Sequence, residues 1–317
     1  MFLSFIDKIS SIFDRRFLIA YWLPSFVFVA LLTGFIALIF GVTQSLMWWD
    51  KRSRSESLAF SAGMLFLITI LALLLQPFTR PLTRLYLGYW PSLFSYFTKW
   101  GKKRERQRAP WTEFEVSDDR LLPTRLGNVL ASAYEYPHRV YQIDPAIWLP
   151  RLTPLLPETF RAQMDNALTP LFCLLNLSAN FSLLAFVGGF LVAWLDQGWK
   201  FFLGVWLINL SLSVVCYRAT VSQASEYGTF IRVAFDLYRP ELIKQMRFSL
   251  PQTPKEEFDL WGKLGMWLYF KEQIPVYPWP QVDTPELPLN YENYKAPAAG
   301  AANTMDVSVK ALVKIDS

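Results

Sequence analysis

Histidine is nearly missing from this chain, cysteine is scarce, and charge is absent from its longest apolar stretches. Each shortage removes a class of function. The only histidine, His138, cannot build a multi-histidine metal site or a proton relay, since both need several imidazoles. It follows Pro137 in a turn-like stretch, residues 134–139, which predicts the end of a helix and a turn or surface role. The two cysteines, Cys173 and Cys216, fall inside apolar runs. They predict small apolar side chains in a helix bundle rather than a disulfide framework. The 14 glycines are scattered and form neither a Walker A pattern nor a G-x-G-x-x-G turn, so a glycine-rich phosphate cradle is excluded. No catalytic, cofactor-binding or metal-ligating set is expected, and no cofactor.

What the chain has in excess is apolar length. It is 53% hydrophobic, 17% aromatic and only 18% charged. Four runs carry no Asp, Glu, Lys or Arg: residues 17–43, 57–79, 166–195 and 201–217. A helix rises ~1.5 Å per residue and a bilayer's hydrocarbon core is ~30 Å thick, so about 20 apolar residues cross it. The first three runs are long enough. The fourth is short, but Trp199 and Tyr217 bracket it as interfacial aromatics bracket a span. The expected fold is an all-α membrane protein with four transmembrane helices in two hairpins. The first run is too long for a signal-peptide core and no small-residue cleavage site follows it.

The spans divide the chain. Residues 1–16 form an amphipathic segment, with Phe2, Ile6, Ile9 and Phe13 in a helical stripe. Residues 17–79 are the first transmembrane hairpin, 80–165 a helical cytoplasmic insert, 166–217 the second hairpin, 218–273 a cytoplasmic helical tail, and 274–317 a Pro-rich extended and flexible C-terminus. Lys and Arg beside span ends set orientation. Lys8, Arg15, Arg16, Arg80, Arg84, Arg151, Arg161 and Arg218 share one side against Lys51, Arg52, Arg54 and Lys200. The balance predicts a multi-pass protein of the inner cell membrane with both termini cytoplasmic. Pro157 before Glu158 predicts a helix start, and this helix should run on into the third span. Pro240 is expected to break the helical pattern of residues 221–248.

Three groups of residues stand out. Asn176 and Asn180 lie four apart on one face of the third run, and Asn209 and Ser213 repeat that spacing in the fourth. In hydrocarbon such groups need partners, so this face must meet another helix or water. The basic run Lys99, Lys102, Lys103, Arg104, Arg106 and Arg108 anchors its loop on the cytoplasmic side and is a candidate contact for lipid headgroups. Gly188 and Gly189 allow another helix to approach closely.

Together these features predict a non-enzymatic membrane protein: an oligomeric scaffold or accessory subunit with a cytoplasmic interaction face. The alternative is a homo-oligomeric pore or membrane effector lined by the polar residues of spans three and four. A membrane-surface enzyme comes third. The expected partners are the lipid bilayer and either further copies or other membrane and cytoplasmic proteins. Nothing accompanies the basic run that would favour nucleic acid.

Overall fold

A computed structural model describes residues 14–108, 116–117, 120–194 and 199–270; the amphipathic stripe at the N-terminus and the Pro-rich C-terminus lie outside the described residues. Among the described residues there is no strand. Four helices are long and apolar enough to cross a membrane. α1 is Arg15–Phe40 and holds a π-helical turn at Leu18–Trp22. It stops at Gly41, whose φ of 91° suits glycine. A short helix, α2 (Val42–Asp50), follows where the sequence predicts the last residues of the span and a loop. Its Trp48 and Trp49 pack edge-on against Phe60, and the Arg52 guanidinium lies 3.8 Å from the Trp48 ring centre.

α3 (Arg54–Leu87) begins with a reciprocal cap: Glu56 N–H donates to Ser53 Oγ, and Ser53 N–H donates to the Glu56 carboxylate. It outruns the apolar stretch by two turns. It ends on Gly88 in the left-handed conformation, where Gly88 N–H and Tyr89 N–H donate back to the Leu85 and Arg84 carbonyls. α4 (Ser95–Arg106), α5 (Arg125–Tyr141) and α6 (Pro145–Leu152) follow. α5 does not end at Pro137 as the sequence predicts. It continues one turn to Gln142, which takes a positive φ and donates its N–H to the His138 carbonyl.

α7 (Glu158–Trp194) and α8 (Trp199–Gln245) are the longest elements, 37 and 47 residues. α7 starts on Glu158 and runs without interruption into the apolar segment, as the Pro157–Glu158 pair predicts. α8 differs from expectation. Tail and fourth span are one helix, and it passes through Pro240. A proline lacks the N–H that its i−4 carbonyl needs. Here that carbonyl, on Asp236, accepts from Arg239 Nη1 instead. α9 (Pro254–Phe270) completes the described chain.

The pairings fix the directions. Gly188 faces Val205, Ser178 meets Ser213, and Phe160 packs on Phe230 and Tyr238, so α7 and α8 are antiparallel along their whole length. Arg16 pairs with Asp165, Ala20 with Asn176, Pro24 with Asn180 and Phe35 with Gly188, so α1 runs parallel to α7. Beyond the apolar segments, α5, α6, α9 and the second half of α8 enclose a separate core. Trp148 and Trp261 meet edge to face at 5.1 Å there, fully buried with Ile143, Leu152, Ile231 and Phe235. A smaller core of Leu126, Val129, Leu171, Leu175 and Ala224 joins that distal domain to the apolar bundle.

Candidate functional site

The polar residues of the apolar helices are engaged with one another. Asn176 Nδ2 donates to the Ala20 carbonyl at 2.8 Å, and Asn180 Nδ2 donates to the Pro24 carbonyl at 3.0 Å. Ala20 lies four residues before Pro24, which has no N–H to offer it. Asn176 therefore supplies a donor in place of the i+4 N–H that Pro24 lacks. On the next face of α7, Ser178 and Ser182 both reach Ser213 of α8, at 3.1 and 2.7 Å between hydroxyls, and Tyr86 of α3 reaches Ser178 at 3.1 Å. This chain of hydroxyls joins three helices. Asn209 stands apart, donating to the Val205 carbonyl of its own helix in a groove between α1 and α8. The four amide and hydroxyl residues picked from sequence thus do not form one lining.

Small residues mark the closest approaches. Gly188 and Gly189 are both buried. A Cβ on Gly188 would sit 3.3 Å from Val205 and 3.4 Å from Phe35, so the approach it permits is to helices of the same chain. A tighter knot lies where α3, α4 and α5 meet. Pro123 is seated between Gly88 and Gly101, with a Cβ on Gly101 only 2.7 Å from the Pro123 carbonyl oxygen, and a Cβ on Gly127 would stand 2.3 Å from the Leu87 carbonyl oxygen. Asn128 clamps the same loop, exchanging two hydrogen bonds with the Leu122 backbone at 2.8 and 2.9 Å.

Helical periodicity divides the basic run. Arg104 and Arg108 line a cavity of about 880 Å³ together with Arg125 and Arg218. Lys102 lines a different cavity, beside the Arg120–Glu135 ion pair of 2.8 Å. Lys99, Lys103 and Arg106 line neither. The arginine cavity also holds Glu105, which is 4% exposed, and an aromatic rim of Trp90, Phe97, Trp100 and Tyr217. It adjoins a second chamber of about 610 Å³, walled by Leu85, Tyr86, Phe94 and Ser182, and the two share Trp90, Phe97, Thr124 and Tyr217. One chamber is apolar, the other cationic. Tyr217 Oη accepts from the Leu126 N–H at 3.4 Å, which ties α8 to the first turn of α5 at the shared wall.

A second polar centre sits in the distal domain. Tyr136 and Tyr141 both donate to Asp236 Oδ1 at 2.8 Å, and Arg239 lies 3.9 Å from the Tyr141 ring centre while binding Glu257 of α9 at 2.8 Å. Burial, and then the bond to the Asp236 carboxylate, push both phenols above the usual tyrosine range. The cluster holds α5, α8 and α9 together. Its members bond one another, which suits a structural tie rather than a reacting group. Among the described residues no group of three His, Cys, Asp or Glu side chains could hold a metal ion.

Sequence reading overlooked Arg125, Trp90, Ser178 and Ser182 as partners of the groups it selected. The serines carry a readable signal, since they lie four apart. Arg125 and Trp90 carry none, because only the seating of Pro123 brings them beside Arg104. Compared with protein-family models, curated proteins and solved structures, the chain matches none.

Proposed function

We propose that this chain is a multi-pass membrane scaffold: a four-helix anchor that carries a rigid helical domain at the membrane surface and offers it to protein partners. One observation carries the reading. Asn176, Asn180, Ser178, Ser182 and Ser213 all form bonds between the apolar helices, while α7 and α8 run unbroken from the bundle into the distal domain. A pore needs polar groups turned toward water. A scaffold needs a stiff connection and an outer face, and Val140 and Leu237 are exposed apolar side chains on the distal domain. The reading places the protein in the inner cell membrane with the distal domain in the cytoplasm, as the basic flanks predict. It does not depend on self-association.

Asn180→Asp separates scaffold from pore. On the scaffold reading the substitution puts a charge where an amide bonded a carbonyl, at a cost of about 2.5–3.5 kcal/mol. The reconstituted protein then loses thermal stability and conducts no ions. A stable variant with altered ion selectivity would instead establish the pore. A photocrosslinker at Leu237, which is 61% exposed, is expected to trap a discrete protein in native membranes, whereas one at Phe186, 71% exposed on the bundle, traps lipid.

A further inference from the structure

We infer that the two joined cavities hold one anionic phospholipid, with its phosphate among Arg104, Arg108 and Arg218 and one acyl chain in the apolar chamber. The inference rests on the membrane reading above and adds a ligand to it. Charge sets the first half of the site. Four arginines line the larger cavity against one glutamate, and guanidinium groups match phosphate oxygens with paired N–H donors. Position sets the second half. The apolar stretch of α8 carries no charge up to Tyr217 and Arg218 follows at once, so the wall of the site changes from apolar to cationic where hydrocarbon gives way to headgroups. The apolar chamber adjoins that change, walled by Leu85 and Phe94 and reaching the apolar run of α7 at Ser182. Trp90, Trp100 and Tyr217 line the site beside that change, and ring side chains of this kind settle at a bilayer's interface.

The site is held in shape by the fold rather than by the ligand. Pro123 is wedged against Gly88 and Gly101, so α4 cannot swing away from the start of α5 without opening that contact. A preorganised wall loses less freedom on binding. A soluble phosphate shares the headgroup's chemistry but has nothing to place in the apolar chamber, which is why the occupant is a lipid.

Full-length protein in neutral detergent can be titrated with phosphatidylglycerol, phosphatidylcholine or inorganic phosphate. Native mass spectrometry reads binding and thermal unfolding reads stabilisation. One phosphatidylglycerol should bind and raise the melting temperature, phosphatidylcholine should bind at least about tenfold more weakly, and inorganic phosphate should leave the melting temperature unchanged. R104Q/R218Q should weaken phosphatidylglycerol by about ten- to thirtyfold, taking a surface cation's share per residue. K99Q/K103Q removes the same charge from positions lining neither chamber and should change binding less than about twofold. L85W fills the apolar chamber without altering charge and should also weaken the lipid. Equal losses in both charge pairs would show diffuse attraction and overturn the site. So would equal binding of phosphatidylcholine, or displacement of the lipid by inorganic phosphate. If R104Q/R218Q fails to fold, L85W against K99Q/K103Q decides. Loss of lipid selectivity in a protein that still fractionates with membranes overturns the site alone, whereas a protein found free of membranes overturns the anchor beneath it.

Discussion

The two halves of this molecule are built on opposite plans. In the distal domain the large apolar side chains are inside: Trp148, Trp261, Phe235, Ile143 and Leu152 are all fully buried. In the apolar bundle many are outside, although Leu175, Phe181 and Leu184 of α7 are buried. Of the 34 residues of α3 only Ile68, Ala72 and Thr79 are buried, while Leu58, Phe66 and Leu74 stand exposed. The bundle also keeps small and polar side chains inside: Asn176, Ser178 and Ser213 are buried, with Ala72 and Ala185. Water drives the first arrangement, since apolar burial is worth about 25 cal/mol per Å² there. Helices built to cross a membrane have no such gain from lipid, and pairs of them rely on close packing and on hydrogen bonds without competing solvent. The same chain therefore solves two problems with two vocabularies, and each half should break by a different kind of substitution.

The largest effect is expected in the distal core. Trp261→Ala removes half of the edge-to-face pair and should cost about 3–5 kcal/mol, seen as an early loss of near-ultraviolet circular dichroism. Leu74→Ala, on an exposed position of α3, should move the same transition by less than about 0.5 kcal/mol. Equal effects would erase the contrast between the halves.

The junction comes next. Gly127→Ala drives a methyl group against the Leu87 carbonyl, which is backbone and cannot step aside. Overpacking of this kind costs about 1–3 kcal/mol. Limited proteolysis should then cut near Pro123 in the variant before it cuts the wild type.

The smallest effect belongs to the tyrosine tie. Tyr141→Phe removes one hydrogen bond to Asp236, worth about 1 kcal/mol at neutral pH. Its phenol is raised in the folded state, so the proton is held more tightly there than in the unfolded chain. That contribution is complete below the ordinary tyrosine value of about 10 and is lost as pH climbs through the folded value. Thermal unfolding followed from pH 8 to 11 should fall less steeply in Tyr141→Phe than in the wild type.

Much of the architecture is legible in the residues. The four charge-free runs mark the candidate spans, and the Pro157–Glu158 pair marks the start of α7. The even spacing of Asn176 and Asn180 foretells a face that must bond something. Other features are hidden because they are made in three dimensions. Pro240 reads as a stop, since nothing local reveals that Arg239 folds back to serve the Asp236 carbonyl. Pro137 and His138 read as a turn but lie inside α5, which closes one turn later where Gln142 N–H and Ile143 N–H donate to the His138 and Pro137 carbonyls. The basic run reads as one patch, and only the docking of α4 against Pro123 sorts Arg104 and Arg108 toward one chamber and Lys102 toward another. Asn209 shares its spacing with Ser213 but not its surroundings, since it lies in the groove toward α1 rather than against Ser178 and Ser182.

The unbroken length of α8 joins the two halves of the molecule. A rod of 47 residues is ~70 Å long at ~1.5 Å per residue. It is gripped near Ser213 by the hydroxyls of Ser178 and Ser182, well short of its far end at Gln245. It is gripped again about 25 Å further on, where Phe230 and Tyr238 meet Phe160 of α7. One continuous helix therefore carries any reorientation of the apolar bundle into the distal core around Phe235 and Ile243 without a joint between them.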